Sequence, residues 1–151
     1  MGTKLLLPLA LILMLTSCKV VFISGYDIII DETATKIKRD FNVFFIKLQR
    51  TIKTLDNNTD QKFANFQDYY DNMEVDIKIL EERAISLPKK SEEVKKEITN
   101  IKKLLLDFES THKLSGFKDS QLDDHHDQLD NINIAINSLL LLEEKIKTTG
   151  K

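Results

Sequence analysis

Residues 60–87, DQKFANFQDYYDNMEVDIKILEERAISL, contain the most regular hydrophobic pattern in the chain. The apolar residues recur at steps of three and four positions: Phe63, Phe66, Tyr70, Met73, Ile77, Leu80, Ala84 and Leu87. An α-helix has 3.6 residues per turn, so this spacing puts these side chains on one side of a helix. Pro88 disfavours helical backbone at the residue before it, and we expect the helix to cover about residues 60–86.

Three further segments show the same period, and we predict helices over about residues 27–55, 91–112 and 120–147. Their apolar stripes are Ile30, Ala34, Ile37, Phe41, Phe44, Leu48, Ile52 and Leu55; Val94, Ile98, Ile101, Leu105 and Phe108; and Leu122, His125 or His126, Leu129, Ile132, Ile136, Leu139, Leu142 and Ile146. The connections are short and contain turn-forming residues. The sequence therefore predicts an all-α fold, an antiparallel up-down-up-down four-helix bundle over residues 26–151. A long coiled-coil dimer is the structural alternative, but the stripes are wider than a strict coiled-coil seam.

The N-terminal residues have the pattern of a bacterial lipoprotein precursor. Lys4 precedes an apolar run from Leu5 to Leu15, which is typical of a secretory signal and shorter than the ~20 residues of a membrane-spanning helix. The tetrapeptide Leu15-Thr16-Ser17-Cys18 resembles the lipobox, whose cysteine receives a diacylglycerol thioether. We therefore expect a lipoprotein signal peptide at residues 1–17, lipidation at Cys18, and a short lipidated tether over residues 18–25. The alternative is an ordinary signal peptide followed by a cysteine that has no special role.

Composition agrees with export and with an anchored protein. Cys18 is the only cysteine, so no disulfide framework is expected. The net charge is only −2, and charged residues of both signs are present in similar numbers. This balance argues against nucleic acid as a partner, because a nucleic-acid-binding protein usually has a basic surface. We expect the membrane to be a partner through the N-terminal lipid anchor, together with an envelope protein. Lys19 follows the cysteine where an Asp would indicate the inner membrane, so by analogy with enteric lipoproteins we expect the outer membrane, facing the periplasm.

The three histidines are candidate metal ligands. His112 ends the third stripe, and the next turn brings the chain back to Asp123, His125 and His126. Imidazole and carboxylate ligands in this arrangement suit a mononuclear zinc or copper site. Glu109 and His112 also form an E-x-x-H pair, which in bundles can serve a two-metal centre, although a full second copy is missing. The simpler interpretation is that acids favour the start of a helix and a histidine favours its end.

A set of aromatic residues is the second candidate site. It comprises Phe41, Phe44, Phe45, Phe63, Phe66, Tyr69 and Tyr70. These residues lie late in the first helix and early in the second, so they should meet near one end of the bundle. They can line a pocket for an apolar ligand, with Phe45, Tyr69 and Tyr70 as the ligand or partner surface, or they can simply form core.

Short motifs also resemble a known group of proteins. Gly25-Tyr26-Asp27 with Asp31, together with Tyr70-Asp71, Val75-Asp76, Arg83-Ala84 and Leu87-Pro88-Lys89, resembles small uncharacterised all-helical lipoproteins of Gram-negative bacteria. That resemblance implies an all-α bundle and no assigned activity.

The sequence contains no glycine-rich phosphate loop and no G-x-S-x-G motif, so we do not expect an enzyme. We expect a lipid-anchored interaction or structural bundle. The alternative is a periplasmic metal- or small-ligand-binding protein that uses His112, His125 and His126.

Overall fold

The computed structural model describes residues 25–54, 62–87, 91–115 and 122–149. Within these ranges the side chains of residues 52–54, 115 and 122–124 are not described. The predicted signal peptide, the lipidation site Cys18 and the tether up to residue 24 lie outside the described residues.

The described chain is almost entirely helical and contains no strand. Helix α1 spans Ile28–Thr54, and a 3-10 turn at Phe63–Phe66 leads directly into α2, Gln67–Ser86. Helices α3 and α4 span Glu92–Ser115 and Leu122–Thr149. Each helix packs against the next in the chain, and α4 closes the ring by packing against α1. The predicted all-α antiparallel four-helix bundle is confirmed. None of the described helices has the length and apolar character needed to cross a membrane.

The predicted apolar stripes form one core. Every described member of the α1 and α3 stripes is buried, and His112 is buried with them. In α2 the stripe is buried from Tyr70 onward, whereas Phe63 and Phe66 are partly buried against the core. In α4 the inward positions are His125, Ile132, Ile136 and Leu139, and the same helical face continues to a carboxylic acid, Glu143.

Polar contacts join three helices at the end of the bundle where the described chain begins, which we call the Gly25 end. It contains the first residues of α1 and α3 and the last residues of α2 and α4. One Asp27 carboxylate oxygen accepts a hydrogen bond from the Ile29 N–H at 2.9 Å and caps α1. The other accepts one from Arg83 Nε of α2 at 2.7 Å. The Asp27 N–H donates to Glu143 of α4 at 2.9 Å.

Gly25 completes this arrangement through its backbone. Its φ of +121° lies in a region that side-chain-bearing residues rarely adopt. A Cβ atom there would stand 3.3 Å from Ile146 Cγ2 and 3.4 Å from Ser91 Oγ. A residue without a side chain therefore lets the start of the chain pack between α3 and α4.

Three polar pairs of described residues lie along the seam between α1 and α4. Lys38 donates to Asn137 at 2.7 Å, Asn42 and Asn133 exchange hydrogen bonds at 3.0 and 3.3 Å, and Gln49 contacts His126 at 2.9 Å. From one pair to the next the steps are four and seven residues on both helices, or about one and two helical turns. A shift of one helix along the other would break all of them together, so they favour a single register.

We expect Glu143→Gln to stabilise the protein at pH 7. Glu143 is 0% exposed, and its Oε1 has no hydrogen-bond partner among the described residues. Burial, and the nearby charges of Asp27 and Asp31, raise the pKa of this carboxyl above its ordinary value of 4.5. The unfolded chain therefore loses this proton at lower pH than the folded protein, and stability falls as pH rises above 4.5. A neutral amide removes that penalty, a gain of about 1 kcal/mol in the free energy of unfolding.

Urea unfolding of both proteins at pH 7 and pH 4 measures this gain, which should shrink at the lower pH. Glu144→Gln is the matched control, because Glu144 is exposed and its substitution should change stability by less than ~0.5 kcal/mol. Equal destabilisation by Glu143→Gln at both pH values would contradict the expected ionisation penalty.

Candidate binding groove and histidine end

Aromatic rings converge on Phe44 at the opposite end of the bundle, which we call the histidine end. The Phe44 ring stacks on Tyr69 with centroids 4.2 Å apart and planes 10° apart. The edges of Phe66, Tyr70 and Phe108 approach it at 5.1, 5.5 and 5.9 Å. Such pairs contribute ~0.5–1.5 kcal/mol each beyond the area that they bury. The predicted meeting of aromatics from the late first helix and early second helix is confirmed.

His112 is enclosed by this cluster. Its side chain is 1% exposed and its Nδ1 lies 2.8 Å from the Tyr70 hydroxyl. The rings of Phe63 and Phe66 approach it at 5.7 and 5.5 Å. Burial raises the pKa of Tyr70, so the hydroxyl keeps its proton and can donate it to the imidazole. A buried imidazole with this contact is a satisfied core group.

The candidate metal ligands do not converge within the described part of the chain, where no group of three histidine, cysteine, aspartate or glutamate side chains could hold an ion. His112 contacts Tyr70, whereas His126 is exposed and contacts Gln49 of α1 at 2.9 Å. His125 is buried, with Nδ1 3.5 Å from Gln128 Oε1. The side chain of Asp123, the fourth candidate, lies outside the described residues.

The three aromatic candidates differ in their access to solvent. Phe45 and Tyr70 are each 2% exposed and belong to the core, which corrects their prediction as a ligand or partner surface. They lie on the inward face of their helices, where the apolar stripe also points. Tyr69 is only partly buried and lines a groove. Only this one of the three can meet a ligand directly.

The groove lies between α1 and α2 and has a volume of about 540 Å³, within the size range of small-ligand sites. Its apolar floor and walls are formed by Ile37, Val43, Phe44, Phe66, Tyr69 and Met73. Its polar rim is formed by Lys36, Asp40, Lys47, Asn65, Asp68, Asn72 and Asp76. On α1 the lining runs from Lys36 to Lys47, which are 11 steps apart, or ~16 Å at 1.5 Å per residue.

An ion-pair network closes one end of the groove. Lys36 donates to Asp76 across the two helices and lies 3.3 Å from Asp40 on its own helix. The hydrogen bond to Asp76 raises the pKa of Lys36. Burial alone would raise the pKa of Asp40, but the hydrogen bonds from Arg39 and Lys36 outweigh it and lower that pKa. Lys36 and Asp40 are therefore charged at neutral pH, and the contact between Lys36 and Asp76 holds the two walls together.

The polar groups in the middle of the groove are less fully engaged. The Tyr69 hydroxyl donates to Met73 Sδ at 3.5 Å, and sulfur is a weak acceptor. Burial, and the charges of Asp40 and Asp76, raise the pKa of Tyr69, so the hydroxyl stays neutral. Val43 is 46% exposed beside it. An apolar surface with a weakly bonded hydroxyl is thus open to a partner.

A second groove, between α1 and α4, has a volume of about 560 Å³ and is more open. Its lining is Asp31, Thr35, Asn137, Leu140, Leu141, Glu144 and Lys147. It has two leucines and no aromatic ring, so it offers less apolar contact than the α1–α2 groove.

Comparison of the chain with protein-family models, with curated proteins and with solved structures gave no match.

The signal for the groove was present in the sequence, because Lys36, Asp40, Val43 and Lys47 recur at steps of four, three and four. This is a second helical stripe, rotated from the core stripe and partly apolar. What the stripe does not reveal is which stripe of another helix lies opposite.

We expect Tyr70→Phe to destabilise the bundle by ~1–3 kcal/mol, because it removes the hydroxyl that bonds His112 Nδ1 inside the core. The measurement is the free energy of unfolding in urea at pH 7. Tyr69→Phe is the matched control, since among the described residues its hydroxyl bonds only to the sulfur of Met73 and its loss should cost less than ~0.5 kcal/mol. An equal loss in the free energy of unfolding for the two substitutions would show that the buried hydrogen bond to His112 contributes no more to stability than the bond to Met73.

Proposed function

We propose that this chain is a lipid-anchored, non-enzymatic binding protein of the bacterial cell envelope, held at the outer membrane and facing the periplasm. It binds another envelope component through the α1–α2 groove. The observation that carries the proposal is the combination of exposed Val43 with the Phe44–Tyr69 stack in a concave site of about 540 Å³. Pockets of this size with an apolar lining and a few polar groups are typical binding sites.

The chemistry of the groove supports recognition. Its charged groups at one end, Lys36, Asp40 and Asp76, are engaged with one another. At the other end Lys47 and Asp68 form no ion pair within the described ranges. A partner with an apolar centre and a charge of either sign at that end would therefore gain both hydrophobic and electrostatic contact.

The lipid anchor supports the same role. Cys18 follows the lipobox-like Leu15-Thr16-Ser17, and it is the only cysteine in the chain. Confinement to a membrane surface raises the effective concentration of a binding protein toward other membrane-bound molecules. A groove with modest affinity is then sufficient for an envelope partner.

We expect Cys18→Ser to abolish lipidation and, with it, attachment to the outer membrane. The wild-type protein, expressed in a Gram-negative host, should begin at Cys18 and carry the mass of a diacylglycerol-modified cysteine. The substituted protein should lack that mass and remain unprocessed at this position. Intact-mass spectrometry and fractionation of membranes measure both. A Cys18→Ser protein that is fully processed and still membrane-bound would refute the anchor.

A photo-crosslinking amino acid at position 43 should capture a defined envelope partner in living cells, because Val43 lines the groove. Position 75 is the matched control: Val75 is also an exposed valine, at 57%, but it lies on α2 outside the groove. Mass spectrometry of the crosslinked product identifies the partner, and the yield should fall in the Cys18→Ser background. The same product at both positions, or none at position 43, would exclude the groove as the contact.

A further inference from the structure

Three isoleucines at the Gly25 end are left uncovered by the fold. Ile28 and Ile29 open α1 and are 57% and 38% exposed, whereas the next residue, Ile30, is 0% exposed in the core. Ile85, near the end of α2, is 82% exposed. The contact between Asp27 and Arg83 brings the start of α1 and the end of α2 to this same end of the bundle.

Packing and helix formation do not explain these side chains. The first turn of a helix favours polar and acidic residues, and β-branched side chains lose rotamer freedom in helices. An exposed isoleucine also gains no burial free energy in a soluble bundle. Isoleucines in these positions gain such free energy only if a further surface covers them.

The sequence before Gly25 indicates that this covering surface is a membrane. Gly25 is buried between Ser91 of the α3 start and Ile146 of α4, so the preceding residues join the bundle at this end. Cys18 lies seven positions earlier, and at ~3.3 Å per residue the two are at most ~25 Å apart. The intervening sequence includes the apolar run Val20-Val21-Phe22-Ile23, which resembles neither a polar stalk nor a flexible linker. A lipid on Cys18 would therefore bring the Gly25 end to the bilayer.

The charge of this end favours an apolar contact over an electrostatic one. Lys147 lies over the Tyr26 ring at 5.1 Å, and Lys145 is exposed on the same last turns of α4. Glu92 and Glu93 begin α3 at this end and oppose that charge. With both signs present, binding should not depend on anionic lipid, and zwitterionic phospholipid is the appropriate partner.

We propose that the Gly25 end rests on the phospholipid bilayer, with Ile28, Ile29 and Ile85 in the interfacial region. The bundle then stands upright, and the histidine end is its most distant part. With α1 of 27 residues at 1.5 Å per residue, that end lies ~40 Å from the contact. This inference deepens the proposed function and rests on its lipid anchor.

The test uses the full lipidated protein in vesicles of phosphatidylethanolamine and phosphatidylcholine. Lipid occupies Cys18, so a single added cysteine is the only free thiol and accepts one nitroxide spin label. The labelled variants are Ile29→Cys and Ile85→Cys at the Gly25 end. Leu114→Cys is the control, because Leu114 is 88% exposed near the other end of the bundle. We expect the first two labels to be more accessible to oxygen than to a water-soluble nickel chelate, and the Leu114 label to show the reverse.

Labels at Ile134→Cys and Leu141→Cys test the orientation, since both side chains are more than 60% exposed on the side of α4. They should remain accessible to the nickel chelate. Protection of these two labels with Ile85→Cys left in water would overturn the upright orientation in favour of a bundle lying on its side.

The mass of the reconstituted protein separates the two proposals. Lipid on Cys18 with nickel-accessible labels at positions 29 and 85 would overturn the membrane contact and leave the anchored binding function standing. Absence of lipid on Cys18 would overturn both.

Discussion

Asp27 holds three helices in fixed relation, and the rest of the bundle follows from its contacts. Its carboxylate caps α1 and receives Arg83 of α2, while its own N–H donates to Glu143 of α4. Antiparallel helices advance by the same rise per residue, so a contact at one level sets those above it. The level that places Asp27 opposite Arg83 also places Lys36 opposite Asp76 and Phe44 opposite Tyr69. The groove between α1 and α2 therefore exists at the register that Asp27 sets.

Glu143 shows that this junction includes an unfavourable group. A buried carboxyl with one oxygen lacking a partner among the described residues costs free energy, and the same burial raises the pKa of Glu143. The carboxylate oxygen that accepts the Asp27 N–H satisfies a buried backbone donor. The size and polarity of this contact fix where α4 meets the chain start, so specificity of packing is obtained at some loss of stability. The polar pairs along the α1–α4 seam also favour one packing arrangement, at the surface of the bundle.

The two ends of the bundle suit two different tasks. The Gly25 end carries uncovered isoleucines and receives the chain from the proposed anchor, whereas the aromatic cluster and most of the groove lie toward the histidine end. The aromatic residues divide between core and site by their angle on the helix. Tyr70 lies on the inward stripe and is enclosed with His112, while Tyr69, one position earlier, is turned toward the groove and lies flat on Phe44. A rigid core beneath the groove keeps its walls in place.

The amino-acid sequence by itself determined the helices, their inward faces and the breaks between them, because the period of 3.6 residues and the turn-forming residues are local properties. It placed His112 on the third apolar stripe and left His125 and His126 as alternatives on the fourth; the structure buries His112 and His125. The inward face of α4 continues from Ile132, Ile136 and Leu139 to Glu143, at steps of four, three and four. The sequence prediction placed Leu142 on this stripe, because a charged residue is not expected in the core. Only the tertiary structure decided that His112 meets Tyr70, that His126 meets Gln49, and that Lys36 crosses to Asp76. The physical reason is that periodicity gives the direction of a side chain about its own helix, whereas partners depend on the axial register and rotation between helices, which distant residues such as Asp27 determine.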